Sequence, residues 1–217
     1  MHRVLAAITL AAAILVAAPA AVPPVLAQDQ QEAAVAGVGP VGIVTRVARE
    51  ARAERAQQAM ALKPSDPVAN EDRLTTGPGG RLQVALLDEG TLLLGENAEL
   101  VVDDLVLGED ETALKMYVDG AFRLISGALR HAEGTQIVTP VATIGIRGTD
   151  VWGGVIDGAF SVFLVEGEVS VTTDAGTVIL DTPGTGTTVP AADAPPTEPE
   201  TWSDGKVRRA VATVTFP

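Results

Sequence analysis

The sequence contains no cysteine. A disulfide framework, a thiol nucleophile and the lipid-bearing cysteine of a bacterial lipoprotein are therefore excluded. Aromatic residues are scarce: two Trp, one Tyr and four Phe in 217 positions. That is too few for the stacking platform of a single-strand binder, and it weakens the case for a sugar cleft. Positive charge is also short, with 15 Lys and Arg against 28 Asp and Glu and a net charge of −13. Such a field repels phosphate backbones, so no nucleic-acid partner is expected.

Histidine occurs twice, as His2 and His131. A serine triad needs a histidine partnered to a nucleophile, and a zinc site needs more ligands than one imidazole supplies. His131, between Arg130 and Glu133, reads as a solvated loop residue. Carboxylate pairs are plentiful, at Asp88/Glu89, Asp103/Asp104 and Glu109/Asp110/Glu111. None follows the calcium-loop pattern with its closing glutamate, so solvated turns are the default. Gly37, Gly39 and Gly42 match G-x-G-x-x-G, but no strand precedes them as a dinucleotide site requires. No cofactor, no metal and no enzymatic activity are expected.

The chain opens with His2 and Arg3, an apolar run through Val16, three prolines and then Val25-Leu26-Ala27. This is the pattern of a secretory signal peptide, residues 1–27, cleaved after Ala27. The run is shorter than the roughly 20 residues that span a bilayer, and prolines break it. A periplasmic protein with no later membrane span is the expectation. Residues 28–40 read as a flexible tail, 41–189 as one β domain, and 190–217 as a Pro-rich linker with a short C-terminal tail. In that tail Thr201 or Ser203 is placed to cap a final helix or strand, and Trp202 to dock on the body.

The body predicts an all-β fold, either a single twisted two-layer sandwich or a short solenoid-like stack. Strand runs fall at 82–87, 91–94, 100–107, 113–118, 121–126, 136–139, 141–146, 151–156, 160–165, 168–172, 177–180 and 185–189. Between them recur Glu89-Gly90, Asp119-Gly120, Glu133-Gly134, Asp157-Gly158, Glu166-Gly167 and Ala175-Gly176. In each, glycine is expected to supply the positive φ of a tight hairpin turn. The predicted core is Leu82, Val84, Leu92, Leu94, Leu100, Val118, Phe122, Leu124, Ile144, Ile146, Val162, Leu164, Val169 and Val171. Residues 46–62 are ambiguous: Ala, Arg, Glu and Gln favour a helix, while the β-rich Val41 to Thr45 lead and alternation at Arg49, Ala51 and Ala53 favour a strand hairpin, the reading preferred here.

Three stretches carry a family likeness. The first is Arg73-Leu74-Thr75-Thr76-Gly77-Pro78-Gly79-Gly80-Arg81-Leu82 with Leu87-Asp88-Glu89-Gly90-Thr91-Leu92 and Gly95-Glu96-Asn97-Ala98-Glu99-Leu100. The second is Val118-Asp119-Gly120-Ala121-Phe122-Arg123-Leu124-Ile125-Ser126-Gly127. The third is Thr139-Pro140-Val141-Ala142-Thr143-Ile144-Gly145-Ile146-Arg147-Gly148-Thr149-Asp150, joined later by Val165-Glu166-Gly167-Glu168-Val169. Together they resemble the FecR domain family, whose members sense or relay signals in the bacterial periplasm. The best-known members also span the inner membrane and control a sigma factor from the cytoplasm, and nothing after the leader here reads as such a part. The resemblance implies the periplasmic fold and a binding role.

In the third stretch Gly145 and Gly148 flank Arg147, where a bulge or close backbone approach is expected. Two readings stand side by side. In one, Arg147, Thr149 and Asp150 form part of a contact surface. In the other, Arg147 makes an internal ion pair and Thr149 satisfies turn backbone. The expected partner is an envelope protein, bound by surface recognition or by strand addition at a sheet edge. The alternative is a small ligand or glycan, with a carboxylate-based hydrolase as a distant third.

Overall fold

The computed structural model describes residues 40–87, 89–107, 112–126 and 135–217. The signal peptide expected at residues 1–27, the tail expected after it up to Gly39, Asp88, the Glu109 to Glu111 run, His131 and the turn expected at Glu133-Gly134 lie outside the described residues. The chain is all-β. Among the described residues the strands are β1 (Pro40–Ala48), β2 (Ala51–Arg55), β3 (Gln58–Ala61), β4 (Pro67–Ala69), β5 (Arg73–Thr76), β6 (Arg81–Leu86), β7 (Thr91–Leu94) and β8 (Glu99–Leu107). They continue as β9 (Thr112–Asp119), β10 (Phe122–Ile125), β11 (Thr135–Val138), β12 (Thr143–Ile156), β13 (Ala159–Thr173), β14 (Gly176–Leu180), β15 (Thr185–Val189) and β16 (Glu200–Thr201). One helix, α1 (Asp204–Ala212), follows.

All sixteen strands join one sheet, which divides into two wings along the β12–β13 hairpin. The first half of β12 pairs with β11 and leads through β9, β8, β5 and β2 to β3. Its second half pairs with β10 and leads through β7, β6 and β1 to β4. On the other side β13 pairs along the whole of β12, then with β15 by its first half and β14 by its second. Pairing is antiparallel except between β9 and β11. Both wings turn apolar side chains into one core: Leu74, Leu100, Met116 and Ile137 from one, Val84, Leu92, Phe122 and Leu124 from the other. All fourteen residues predicted for the core are buried.

A strand that crosses between wings must change which of its faces looks inward, and side chains alternate with a period of two. In β12 the inward residues are Ile144 and Ile146 before the crossing and Val151 after it, so the parity flips. Two bulges do this. Arg147 faces Glu168 and Asp150 faces Glu166, which leaves two residues of β12 against one of β13; Val151 then faces Leu164, which leaves one surplus residue on β13. The two shifts cancel, and Val151 to Ile156 stay in the register set by Thr143 to Arg147. The geometry needs glycine twice, with φ of 58° at Gly148 and 89° at Gly167. A Cβ on Gly167 would overlap the carbonyl oxygen of Gly148.

The outer face of the second wing is covered by the C-terminal segment. Trp202 is stacked on Phe163 at 4.9 Å and meets Trp152 edge-on at 5.9 Å, in a second cluster with Ile156, Ala210 and Val214. Gly186 leaves room for the Trp202 indole, since a Cβ there would lie 2.5 Å from its Nε1. Ser203 caps α1 by accepting from the Lys206 amide, and Trp152 Nε1 donates to Thr213 Oγ1 at 3.1 Å. Burying two indoles and a phenyl ring gives this tail a core of its own.

Near the other end of the sheet the fully buried Asp72 accepts two hydrogen bonds from Arg55, both of 2.6 Å, and a third from the Ala69 amide. The hydrogen bond to Asp72 raises Arg55 above its ordinary pKa, against desolvation, which acts the other way. Fork-to-fork geometry of this kind fixes position as well as charge. It ties β2 to the β4–β5 turn.

Several expectations are corrected. Glu166-Gly167 is not a hairpin turn but lies inside β13, where its glycine serves the bulge. The runs 141–146 with 151–156, and 160–165 with 168–172, are likewise two continuous strands and not four. Asp119-Gly120 joins β9 to β10, which do not pair, so it is a crossover bend. Gly176 opens β14 without a positive φ, and Asp174-Ala175 make the turn. In residues 46–62 the hairpin forms as β2–β3, although its turn forces Ala56 and Gln57 to φ of 49° and 66°. That backbone costs about 1 kcal/mol or more per residue. It is offset by burial of Ala51 and Ala53 in the core and by pairing with β5.

Two stability predictions follow from these constraints. Gly167→Ala should cost about 3 kcal/mol, from positive φ plus steric overlap. Gly158→Ala, at nearly the same φ but with open space around it, should cost about 1 kcal/mol. Equal losses on urea unfolding would show that overlap at the bulge is not the cause. Arg55→Ala should cost about 3 kcal/mol by stranding a buried carboxylate, and Arg55→Lys should recover less than half of it because an ammonium cannot form the fork.

Candidate interaction surface

The wing crossing also carries the residues singled out in the third motif. Bulging turns the Thr149 side chain inward, where it is buried, and its Oγ1 donates to the Glu166 carbonyl at 2.5 Å. The Thr149 amide donates to Ser126 Oγ at 2.8 Å, while its carbonyl accepts from the Ser126 amide at 2.9 Å and from Ser126 Oγ at 3.0 Å. One serine at the end of β10 thus satisfies backbone that the irregular strand leaves without ladder partners. Thr149 thus satisfies backbone of the β13 bulge and not of a turn.

Asp150 is held by Arg123 of β10. Nε donates to Oδ1 at 2.8 Å and Nη2 to Oδ2 at 2.6 Å, a bidentate pair, with the two side chains 26% and 13% exposed. The hydrogen bond to Asp150 raises Arg123 above its ordinary pKa, although desolvation opposes it. The internal ion pair anticipated for Arg147 is therefore made by Arg123 instead. Arg147 itself is exposed and makes no ion pair among the described residues, even though Glu168 is its cross-strand neighbour.

Arg147 lines a shallow depression of about 210 Å³ with Gln136, Gly145, Glu168, Ser170 and Ile179. Gln136, Gly145, Ser170 and Ile179 form one row across β11, β12, β13 and β14. Gly145 keeps this row open, since a Cβ there would meet Ser170 Oγ at 2.5 Å. Ile179 is 56% exposed, on a strand that pairs only with β13. The surface offers a guanidinium, a carboxylate, an amide, a hydroxyl and an apolar edge, all suited to recognition.

Among the described residues no three His, Asp or Glu side chains gather as a metal site would require, and no helix is long and apolar enough to cross a membrane. The structure does not unite Arg147, Thr149 and Asp150 on one surface. Only Arg147 faces outward; the others are its mounting. Arg123 and Ser126 complete that mounting. Both stand in the second motif, but nothing in a linear pattern announces that β10 lies beside the bulge of β12.

The first motif closes on itself in a comparable way. Thr76 is buried, donates to the Gly95 carbonyl at 2.6 Å and accepts from the Ala98 amide at 2.9 Å, so the threonine-glycine turn is fastened to the asparagine turn.

The family model described as "FecR protein" matches residues 72–170, from the buried Asp72 to the second half of β13. No curated protein matches the chain. Two crystal structures of proteins from Parabacteroides distasonis, each described as a "putative anti-sigma factor", share its fold. One has a TM-score of 0.51 at 15% identity, covering 64% of this chain and 63% of that one. The other has a TM-score of 0.50 at 16% identity, covering 64% of each. The chain thus spans less than two thirds of the length of the solved chains it matches. At such identity these structures speak for the fold, and the matched family model, lying over all three motifs, makes this a chain that carries a FecR domain.

Proposed function

We propose that this protein is a non-catalytic signal-sensing or protein-interaction module of the bacterial periplasm, exported by the leader Met1–Ala27, and that it works by binding an envelope protein. The observation that carries the reading is the state of Arg147. In an acidic chain it is exposed without an ion-pair partner among the described residues, on a mounting made by Thr149, Ser126, Asp150 and Arg123. A guanidinium needed only for folding would be paired, as Arg55 and Arg123 are. The FecR match and the anti-sigma descriptions of the fold neighbours support signalling by contact with protein.

Contact would centre on the Arg147 depression and the open edge of β14, with Ile179 as its apolar element. An unpaired strand edge offers amide and carbonyl groups to an added strand, while an adjacent side chain selects the partner. The mechanism is recognition without bond chemistry.

The test is crosslinking in cells that export the protein, with mass-spectrometric identification of what is captured, run beside Arg147→Ala. As an exposed substitution it should alter stability by no more than about 0.5 kcal/mol. One defined envelope protein should be captured by the parent and lost in the variant. Capture of nothing specific would overturn the reading and send the question to a thermal-shift screen of wall fragments and other small ligands.

A further inference from the structure

Another concave feature shares no residue with the Arg147 depression. It is a groove of about 750 Å³ between the C-terminal segment and the corner that joins β1 to β2. Val207, Val211, Ala212 and Phe216 give it an apolar wall, and Arg49, Arg81 and Arg208 surround it with no Asp or Glu in the lining. Arg46 extends the basic rim, its guanidinium 4.1 Å from the centre of the Phe216 ring. In a protein of net charge −13 this is a local reversal of sign.

The arginines are available. Among the described residues Arg49, Arg81 and Arg208 have no ion-pair partner, whereas Arg55, Arg73, Arg123 and Arg209 each have one. The neighbouring carboxylates are engaged: Glu50 binds Arg52 at 2.7 Å, and Glu96 accepts from the Gly79 amide at 2.8 Å. Arg81 donates one bond to the Gly80 carbonyl at 2.6 Å, but its buried Nε has no acceptor. Arg49 sits at φ 58° and lies across Gly79, where a Cβ would come within 2.9 Å of its side chain. The glycine makes room for the arginine over the groove.

We propose that this groove binds an acidic, apolar peptide segment of a partner protein. Carboxylates would take the guanidinium forks on the rim, and apolar side chains would cover Val207, Val211 and Phe216. Its volume lies within the ~300–1,000 Å³ typical of binding clefts. Cations spread around an open cleft suit a chain with several carboxylates better than a ligand with one charged end. An anionic bilayer is disfavoured because the molecule as a whole is strongly negative. This inference deepens the protein-binding reading above and rests on it, but it names a different surface, so the two can fail separately.

The test uses the exported protein and a fluorescein-labelled hexapeptide of alternating Leu and Glu, read by fluorescence anisotropy. Gln-for-Glu and Lys-for-Glu peptides serve as controls. Saturable binding of the Glu peptide is expected, at least about tenfold weaker for the Gln peptide and absent for the Lys peptide. Arg49→Glu with Arg208→Glu should weaken it at least about tenfold with the melting temperature retained. Lys63→Glu, an exposed reversal outside the groove, should leave it within about twofold if the effect is local and not a matter of net charge. Lack of saturable binding, equal binding of the Gln peptide, or equal loss in Lys63→Glu would overturn the proposal. So would a preference for phosphatidylglycerol vesicles over the peptide. If crosslinking captures a protein that Arg147→Ala loses but the double reversal keeps, the groove assignment alone fails. If the peptide binds as expected while nothing is captured, the envelope-partner reading fails.

Discussion

Everything in this fold passes through the change of facing at the middle of the β12–β13 hairpin. Each of these strands belongs to both wings, and a regular strand cannot present one row of side chains to a core that lies on opposite sides of it in its two halves. The solution is steric at bottom. Two glycines adopt φ values that other residues resist, and the backbone of one strand occupies the volume where a side chain of the other would stand. Once the crossing is in place, Ile144, Ile146, Val151, Val162, Leu164, Val169 and Val171 all reach the same core.

The polar features are consequences of that choice. A bulge releases backbone groups from the ladder, and burial makes their neglect expensive. Ser126 and Thr149 absorb them, and Arg123 pins Asp150 at the point where the strand resumes. Motifs far apart in the chain thus become one assembly: the phenylalanine-arginine pair of β10, the arginine-glycine-threonine-aspartate of β12 and the glutamate-glycine of β13. Arg147 is what the assembly leaves facing solvent. Phe122 belongs to it as well, since it faces Gly153 and occupies the space a side chain there would need.

The pattern of apolar residues made the inward face legible, because alternation survives in each half-strand even where the parity later flips. Strand continuity was not legible. Glycine at Gly167, after a glutamate, looks locally like turn chemistry, and only the pairing with a neighbour distinguishes a turn from a bulge. Residues 46–62 show the opposite case: helix formers build a hairpin because buried Ala51 and Ala53 and the waiting edge of β5 outweigh local preference. For the candidate site, Arg147 could be found from its flanking glycines. Arg123 and Asp72 could not be assigned their partners, since the ion pairs join positions far apart in sequence. The groove under α1 was beyond reach for the same reason, because its two walls come from opposite ends of the domain.

The opposed bulges also restrict how the chain can change length. A residue lost from β12 alone, or from β13 alone, would leave every pair beyond it facing the wrong way, with hydrophobic side chains delivered to solvent. Losing one from each would leave a regular hairpin without the change of facing between the wings. Segments 147–150 and 165–167 are rich in glycine and charge, the composition in which insertions are ordinarily absorbed. Here they behave as a gauge, in which the number of residues is as fixed as their identity.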